Sequence, residues 1–154
     1  MQLSKHLSLA EMVNSDTAKR NNINNNPTAE HLENMKYLAE KVFEPIREHF
    51  GIPILISSGY RSKALNQHIK GSLSSFHSKG CAIDIDMDNT AITNKELFHW
   101  IKDNLQYTEL IWEFGTKENA DWIHVGIVKG REKEKETLVA TKEKGKPVYR
   151  LWKG

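Results

Sequence analysis

The chain has 154 residues, a length that fits one domain burying roughly two thirds of its unfolded surface around a single core. Hydrophobic residues make up 38% of it and charged residues 27%, which are ordinary values for a globular protein. Lysine and arginine total 22 against 20 aspartates and glutamates, so the net charge of +2 gives no indication of a nucleic-acid partner. No run approaches the roughly 20 apolar residues of a membrane span, so we expect no stable membrane association.

The cysteine content and the N-terminal residues bear on the compartment in which the protein is made. The single cysteine, Cys81, cannot form an intramolecular disulfide, so the fold does not depend on oxidation. Residues 1–6 lack the charged start and the apolar core of a signal peptide. We therefore expect synthesis in the cytoplasm, and a substrate outside it would require a separate route of delivery. We also expect a monomer.

Helix signals dominate the first 50 residues. Ser8 and Glu11 have the spacing of a capping box, which predicts a short helix ending before the asparagine-rich residues 21–26. From Pro27 onward, apolar residues recur every three or four positions, which predicts a long helix with one face on a core. These apolar positions are Leu32, Met35, Leu38, Val42, Ile46 and Phe50. We expect Pro45 to kink or break this helix and Gly51 to end it.

The middle of the chain predicts two strands. Residues 52–57 are apolar and indicate a buried strand, followed by a turn at 58–61 and a short helix from Ser62 to about Ile69. Residues 71–78 are small and polar, which favours a loop. Residues 81–87 alternate as a strand does, with Ala82, Asp84 and Asp86 on one face.

The C-terminal part continues as a mixture of helix and strand. Thr93 and Glu96 predict the start of a helix that runs to about Asn104. Residues 110–114 and 122–128 predict two strands, 129–136 form a charged solvated connector, and 137–141 pair with 148–152 in a closing hairpin. The predicted fold class is therefore α+β, with helices packed on one small, mostly antiparallel sheet in a single domain, 1–154.

Three separated residues offer the donor set of a metal site. His77 lies in a loop before a glycine, Asp84 lies between two isoleucines in a predicted strand, and His124 alternates with apolar neighbours that face the core. Because a bare buried carboxylate is costly unless paired or metal-bound, Asp84 is a better candidate than a solvated acid. Two imidazoles and one carboxylate are typical of catalytic zinc, which leaves a fourth position for water. A solvated loop histidine, an edge-strand carboxylate and a core histidine remain alternatives, and Asp86 is a rival ligand.

Two acids are candidates for the base that zinc-activated water requires. Asp121 immediately precedes the predicted strand of His124 and lies three residues before His124, so strand alternation places it on the opposite face unless the backbone turns there. Glu113 ends the preceding predicted strand. Arg61, in the turn after a buried strand, suits a substrate carboxylate because guanidinium binds carboxylate in a two-pronged way, although an ordinary exposed arginine is equally compatible with that position.

These motifs together resemble the M15 zinc peptidases. The resemblance rests on Ser75-x-His77-x-x-Gly80-x-Ala82-x-Asp84 with the later Asp121-x-x-His124, and on the Gly59-Tyr60-Arg61 turn. Residues 1–128 resemble the M15 core, whereas 129–154, the charged connector and hairpin, resemble nothing in it. The family includes D-alanyl-D-alanine carboxypeptidases and phage endolysins that cleave L-alanyl-D-glutamate bonds. The likeness is strongest to a compact single-domain subgroup.

The resemblance implies roles for six residues. His77, Asp84 and His124 would bind Zn²⁺, Asp121 would be the general base, and Arg61 and Ser75 would contact the substrate. The implied substrate is a peptidoglycan stem peptide, and the implied activity is that of a phage-type endolysin acting on the cell wall after release. Two alternatives remain: a carboxypeptidase, and a non-catalytic zinc-stabilised wall-binding or virion module. Whether Glu113 shares the role of base stays open.

Overall fold

The computed structural model describes residues 1–154, which form two compact units, Met1–Ile83 and Asp84–Gly154. Helices and a six-stranded sheet are both present, which confirms the predicted α+β class. The strands follow the order β1-β2-β4-β3-β5-β6, and the boundary between the units falls inside β2, Ala82–Ile85. None of the helices has the length and apolar character that crossing a membrane requires.

The first unit is mostly helical. Its α-helices are α1 (Leu9–Val13), α2 (Asp16–Arg20), α3 (Ala29–Leu38), α4 (Glu44–Phe50) and α5 (Lys63–His68), and its one complete strand is β1 (Ile56–Ser58). The predicted capping box at Ser8 and Glu11 is formed, because each side chain bonds to the backbone N–H of the other residue. The single predicted helix is instead two helices, since Ser15 caps α2 by accepting a hydrogen bond from Ala18.

Pro45 does not break the long helix. The chain passes from α3 through one π-helical turn, Ala39–Phe43, directly into α4, where Pro45 lies in the first turn. In the π-turn the N–H of Glu44 bonds to the carbonyl of Ala39, five residues earlier. Proline has no N–H to donate and its ring crowds the preceding turn, so the wider turn accommodates it without ending the helix. The predicted stop is confirmed, because Gly51 adopts a left-handed conformation with φ 68°.

The strand predicted at 52–57 is wrong in extent. Only β1, Ile56–Ser58, is paired, and Leu55 is 48% exposed. An apolar run by itself does not distinguish a strand from an extended buried segment, and Ile54 is buried without belonging to a strand. Within the loop predicted at 71–78, the structure has a short 3₁₀ segment that continues the chain, Phe76–Lys79.

The second unit packs one helix with four strands. These elements are α6 (Asn94–Asn104), β3 (Glu109–Glu113), β4 (Trp122–Gly126), β5 (Glu136–Glu143) and β6 (Lys146–Leu151). Thr93 caps α6 by accepting a hydrogen bond from Glu96, as its spacing predicts. The fully buried apolar side chains of α6 share one face. They are Leu97, Phe98 and Ile101.

The sheet is mixed, which corrects the expectation of a mostly antiparallel one. β3 pairs with β4 in antiparallel fashion, but on its other side β3 pairs with β5 in parallel. The parallel pairing arises because β4 ends and β5 begins at the same end of β3, where Glu109 pairs with both Gly126 and Glu136. Residues 127–135 cross that end of β3, and β5 then runs in the direction of β3. The closing hairpin is confirmed: β5 and β6 are antiparallel and joined at Lys144 and Gly145. Both of these residues have positive φ, at 52° and 77°, as hairpin turns of two residues favour.

Candidate metal centre

His77 is held in one orientation by its own backbone surroundings. Ser75 caps the start of the 3₁₀ segment, where its hydroxyl accepts a hydrogen bond from the His77 N–H at 3.3 Å, and Gly80, with φ 75°, caps its end. The ring Nδ1 lies 2.7 Å from the carbonyl oxygen of Gly59. Because a carbonyl can only accept, Nδ1 carries a hydrogen, and in the neutral ring Nε2 then has the lone pair that a metal ion requires.

Two glycines allow the backbone around His77 to pass close to neighbouring carbonyl groups. A Cβ on Gly59 would lie 2.4 Å from the Met12 carbonyl oxygen, so the backbone that orients His77 can pass α1 only as glycine. A Cβ on Gly80 would lie 2.5 Å from the His31 carbonyl oxygen, and Gly80 also requires positive φ. The backbone on both sides of His77 therefore depends on residues without a side chain.

Asp84 and His124 form a buried pair in the second unit. β2 is buried along its whole length, and Asp84 is flanked by two isoleucines that are completely inaccessible. His124 lies in β4 opposite Ile111 of β3, and only 6% of the residue is exposed. Its Nδ1 lies 2.9 Å from Asp84 Oδ1. A core histidine bonded only to backbone, one of the alternatives above, does not describe His124.

Glu109 is a further residue of this site, and the sequence did not predict it. Its Oε1 lies 2.6 Å from His124 Nε2, so the second ring nitrogen also faces a carboxylate. Glu109 pairs with Gly126, two residues beyond His124, and projects on the same face of the sheet as His124. Burial by itself lowers the pKa of His124, but hydrogen bonds and charge from Asp84 and Glu109 outweigh it and raise the pKa to about 10. The two carboxylates thus favour a positive charge at this ring.

The donor atoms of His77, Asp84 and His124 lie within 4.8 Å of one another, and all three residues are buried. Donors on one tetrahedral zinc ion, at bond lengths of about 2.0–2.2 Å, lie roughly 3.3 Å apart. Small side-chain shifts would bring the three to that spacing. Two nitrogens and one carboxylate oxygen also match the chemistry of catalytic zinc sites with three protein ligands. The residues therefore fit a zinc ion.

The two candidate bases differ in exposure. Asp121 is exposed, its carboxylate forms no hydrogen bond or ion pair, and it lies in the turn before β4, which begins at Trp122. Strand alternation therefore does not apply to it, and the turn anticipated before His124 is present. Asn94 fixes this backbone by donating hydrogen bonds to the carbonyls of Ala120 and Asp121, both at 3.1 Å. Glu113 is buried in β3, two residues from Ile111, on the face that His124 shares.

The two predicted substrate residues belong to the first unit. Arg61 lies on the wall of a cleft, its Nε 3.3 Å from Ser58 Oγ, and its backbone N–H donates to the carbonyl of His77 at 3.2 Å. Ser75 caps the segment that carries His77, which gives it a structural role besides any contact with substrate. The rival ligand Asp86 is engaged elsewhere, since it accepts hydrogen bonds from the Asp88 backbone and from Asn94.

Comparison with known protein families shows the family of this chain. The family model described as Peptidase M15 matches residues 5–126, about four fifths of the chain. The chain belongs to the peptidase M15 family. A search of curated proteins found no match. Membership in the M15 family indicates a metallopeptidase acting on peptidoglycan, and the match ends at the last residue of β4, so β5 and β6 lie outside it.

Proposed function

We propose that this M15 peptidase is a zinc-dependent enzyme that cleaves peptidoglycan stem peptides as a phage-type L-alanyl-D-glutamate endopeptidase. The observation that carries the proposal is the convergence of two buried imidazoles and a buried carboxylate, His77, Asp84 and His124, within 4.8 Å. A purely structural zinc site is normally closed by four protein ligands, whereas three leave a position for water.

The chain's own contacts suggest which atoms hold the ion. His77 would bind through Nε2, because Nδ1 donates to Gly59. His124 would bind through Nδ1, the nitrogen beside Asp84, and would keep its Nε2–H directed at Glu109. When bound, zinc polarises the scissile carbonyl and lowers the pKa of its water.

Side chains of the protein carry out proton transfer and substrate binding in the proposed reaction. Asp121 accepts the proton of the attacking water and returns it to the leaving amine, a role that suits an exposed carboxylate without a hydrogen-bond partner. Arg61 anchors a carboxylate of the peptide, and its backbone bond to His77 links that anchor to a proposed metal ligand. Ser75 would contact the substrate from the cap of the 3₁₀ segment.

Zymography on purified peptidoglycan tests the proposal. We expect the zinc-loaded protein to clear the gel, a chelator to stop clearing, and added zinc to restore it, because His77, Asp84 and His124 would bind the zinc ion on which hydrolysis depends. A protein that binds zinc with no clearing would instead be the non-catalytic module. Mass analysis of the released fragments separates the endopeptidase from a carboxypeptidase: new amino-terminal glutamate indicates the first, and free D-alanine the second.

Glu109→Gln should weaken zinc affinity about 10- to 100-fold, the range typical of partners that orient a metal-bound histidine. The amide keeps the size of the side chain but loses the charge that favours His124 as a donor. The measurement is competition for zinc with a chromophoric chelator. Glu136→Gln serves as the matched control, because Glu136 pairs with Glu109 across β3 and β5 and is exposed. Equal affinity in wild type and Glu109→Gln would remove Glu109 from this role.

A further inference from the structure

A polar cleft of about 420 Å³ opens in the first unit, between α2, the turn after β1 and α5. Its volume falls in the range of small-ligand sites, roughly 300–1,000 Å³. Hydroxyl groups line much of it, including those of Ser15, Thr17, Ser57 and Ser58. This lining suits a polar ligand that makes several hydrogen bonds better than an apolar one.

Two arginines contribute to the wall of the cleft, Arg61 and Arg20. Arg20, the last residue of α2, is exposed and forms no ion pair. Its one hydrogen bond, to Thr17 Oγ1, is 3.5 Å long, so most of its guanidinium donors have no protein partner. Exposed arginines elsewhere in the chain do pair, since Arg131 binds Glu134 with two nitrogens and Arg150 lies 2.7 Å from Glu143.

Asp16 limits which anions the cleft can accept. It also lines the wall, one helical turn before Arg20, and forms no ion pair with it. Two arginines and one aspartate give the lining a formal charge of +1. A compact dianion such as phosphate would meet the aspartate at close range. A peptide can instead place separate carboxylates against the two arginines and keep them away from Asp16.

We infer that the cleft selects peptides with two carboxylates, one held by Arg61 and a second held by Arg20. This rests on the proposed function, because Arg61 is there the anchor of the substrate. Arg20 is then a specificity-determining residue, and the substrate class is the stem peptide whose glutamate keeps its α-carboxylate free. Stem peptides with that carboxylate converted to a carboxamide are poorer ligands, since an amide cannot make the paired, charge-assisted bonds to guanidinium.

Isothermal titration calorimetry with the metal-free 154-residue protein measures peptide binding without hydrolysis and so tests the inference. The probes are two synthetic tetrapeptides, L-Ala-γ-D-Glu-L-Lys-D-Ala and its analogue with the glutamate α-carboxylate as a carboxamide. We expect wild type to bind the acid about tenfold more tightly than the amide, and Arg20→Gln to bind both equally. Lys5→Gln is the matched control: it removes one charge from an exposed residue of the same unit that does not line this cleft. It should keep the preference.

The inference is overturned if wild type shows no preference for the acid, or if Arg20→Gln keeps it. The substitution should leave the fold intact because Arg20 is exposed, and equal melting temperatures of the two variants check this. Failure of the proposed function would look different. A zinc-loaded protein that clears no peptidoglycan, yet shows an Arg20-dependent preference, would refute the proposed peptidase activity. It would still support the cleft as a binding site for peptides with two carboxylates. Clearing without any preference would refute only the role of Arg20.

Discussion

His124→Ala should abolish zinc binding and peptidoglycan clearing together. The residue is the only one of the three proposed ligands whose two ring nitrogens both face carboxylates, Asp84 at 2.9 Å and Glu109 at 2.6 Å. Its removal deletes one of three protein donors and leaves two carboxylates facing a space that an imidazole filled. The loss of zinc affinity should therefore exceed the roughly 10- to 100-fold expected for an outer partner such as Glu109. Zinc content by elemental analysis and clearing in zymograms are the two measurements.

His99→Ala is the matched control for this experiment. His99 belongs to the same unit but lies on α6, where it contacts the rings of Trp112 and Trp152. We expect that variant to keep stoichiometric zinc and full clearing, with any effect limited to stability. A His124→Ala protein that still binds one zinc ion tightly would contradict the proposed ligand set and would direct attention to another donor.

Local signals in the sequence predicted the helix boundaries well. Ser8 and Thr93 cap helices where their spacing indicated, and Gly51 ends α4. Each of these features depends on residues within one turn, so an isolated sequence contains the relevant information. Pro45 shows the limit of such signals. Its effect depended on whether the preceding turn could widen, and the tertiary packing of that turn decides this.

Strand partners were less predictable because they depend on distant segments. The sequence indicated the hairpin of β5 and β6, since the two strands are neighbours in the chain; the structure extends their pairing to Glu143 and Lys146, which leaves a two-residue turn. It contained no comparable signal for the parallel pairing of β3 with β5, whose partners, such as Glu109 and Glu136, lie 27 positions apart. Pairings across such separations depend on the whole fold, and the mixed sheet became evident only in the structure.

The missed Glu109 has a specific cause. The predicted strand began at Leu110, one residue too late, so Glu109 was left out of the alternation. With the strand starting at Glu109, residues 109, 111 and 113 share a face, which places two acids beside Ile111. Placing Glu109 near His124 also requires the register of β3 and β4, which sets Ile111 opposite His124. No local sequence pattern supplies that register. His77, Asp84 and His124 could be proposed from the sequence because their side chains can bind metal and their immediate neighbours set two of them apart: Asp84 lies between isoleucines, and His124 alternates with apolar residues.

Asp121→Ala should keep zinc and lower kcat by about 10²- to 10⁴-fold, the usual contribution of a positioned general base. Asp121 is exposed and its carboxylate has no hydrogen-bond partner, so its loss should not disturb the buried donors. The turn that carries it is fixed through backbone carbonyls by Asn94, and alanine preserves those bonds. Zinc content and single-turnover hydrolysis of a synthetic stem peptide separate the two effects.

Glu113→Gln provides the comparison that assigns the base. Glu113 is buried and shares the face of His124, so geometry within the sheet alone would favour it. If Asp121 is the base, its removal should cost far more in kcat than the isosteric change at Glu113. A full-rate Asp121→Ala enzyme with an inactive Glu113→Gln enzyme would transfer the role to Glu113. Because both acids lie outside the three proposed ligands, zinc retained in both variants would show that the lost rate reflects proton transfer rather than lost metal.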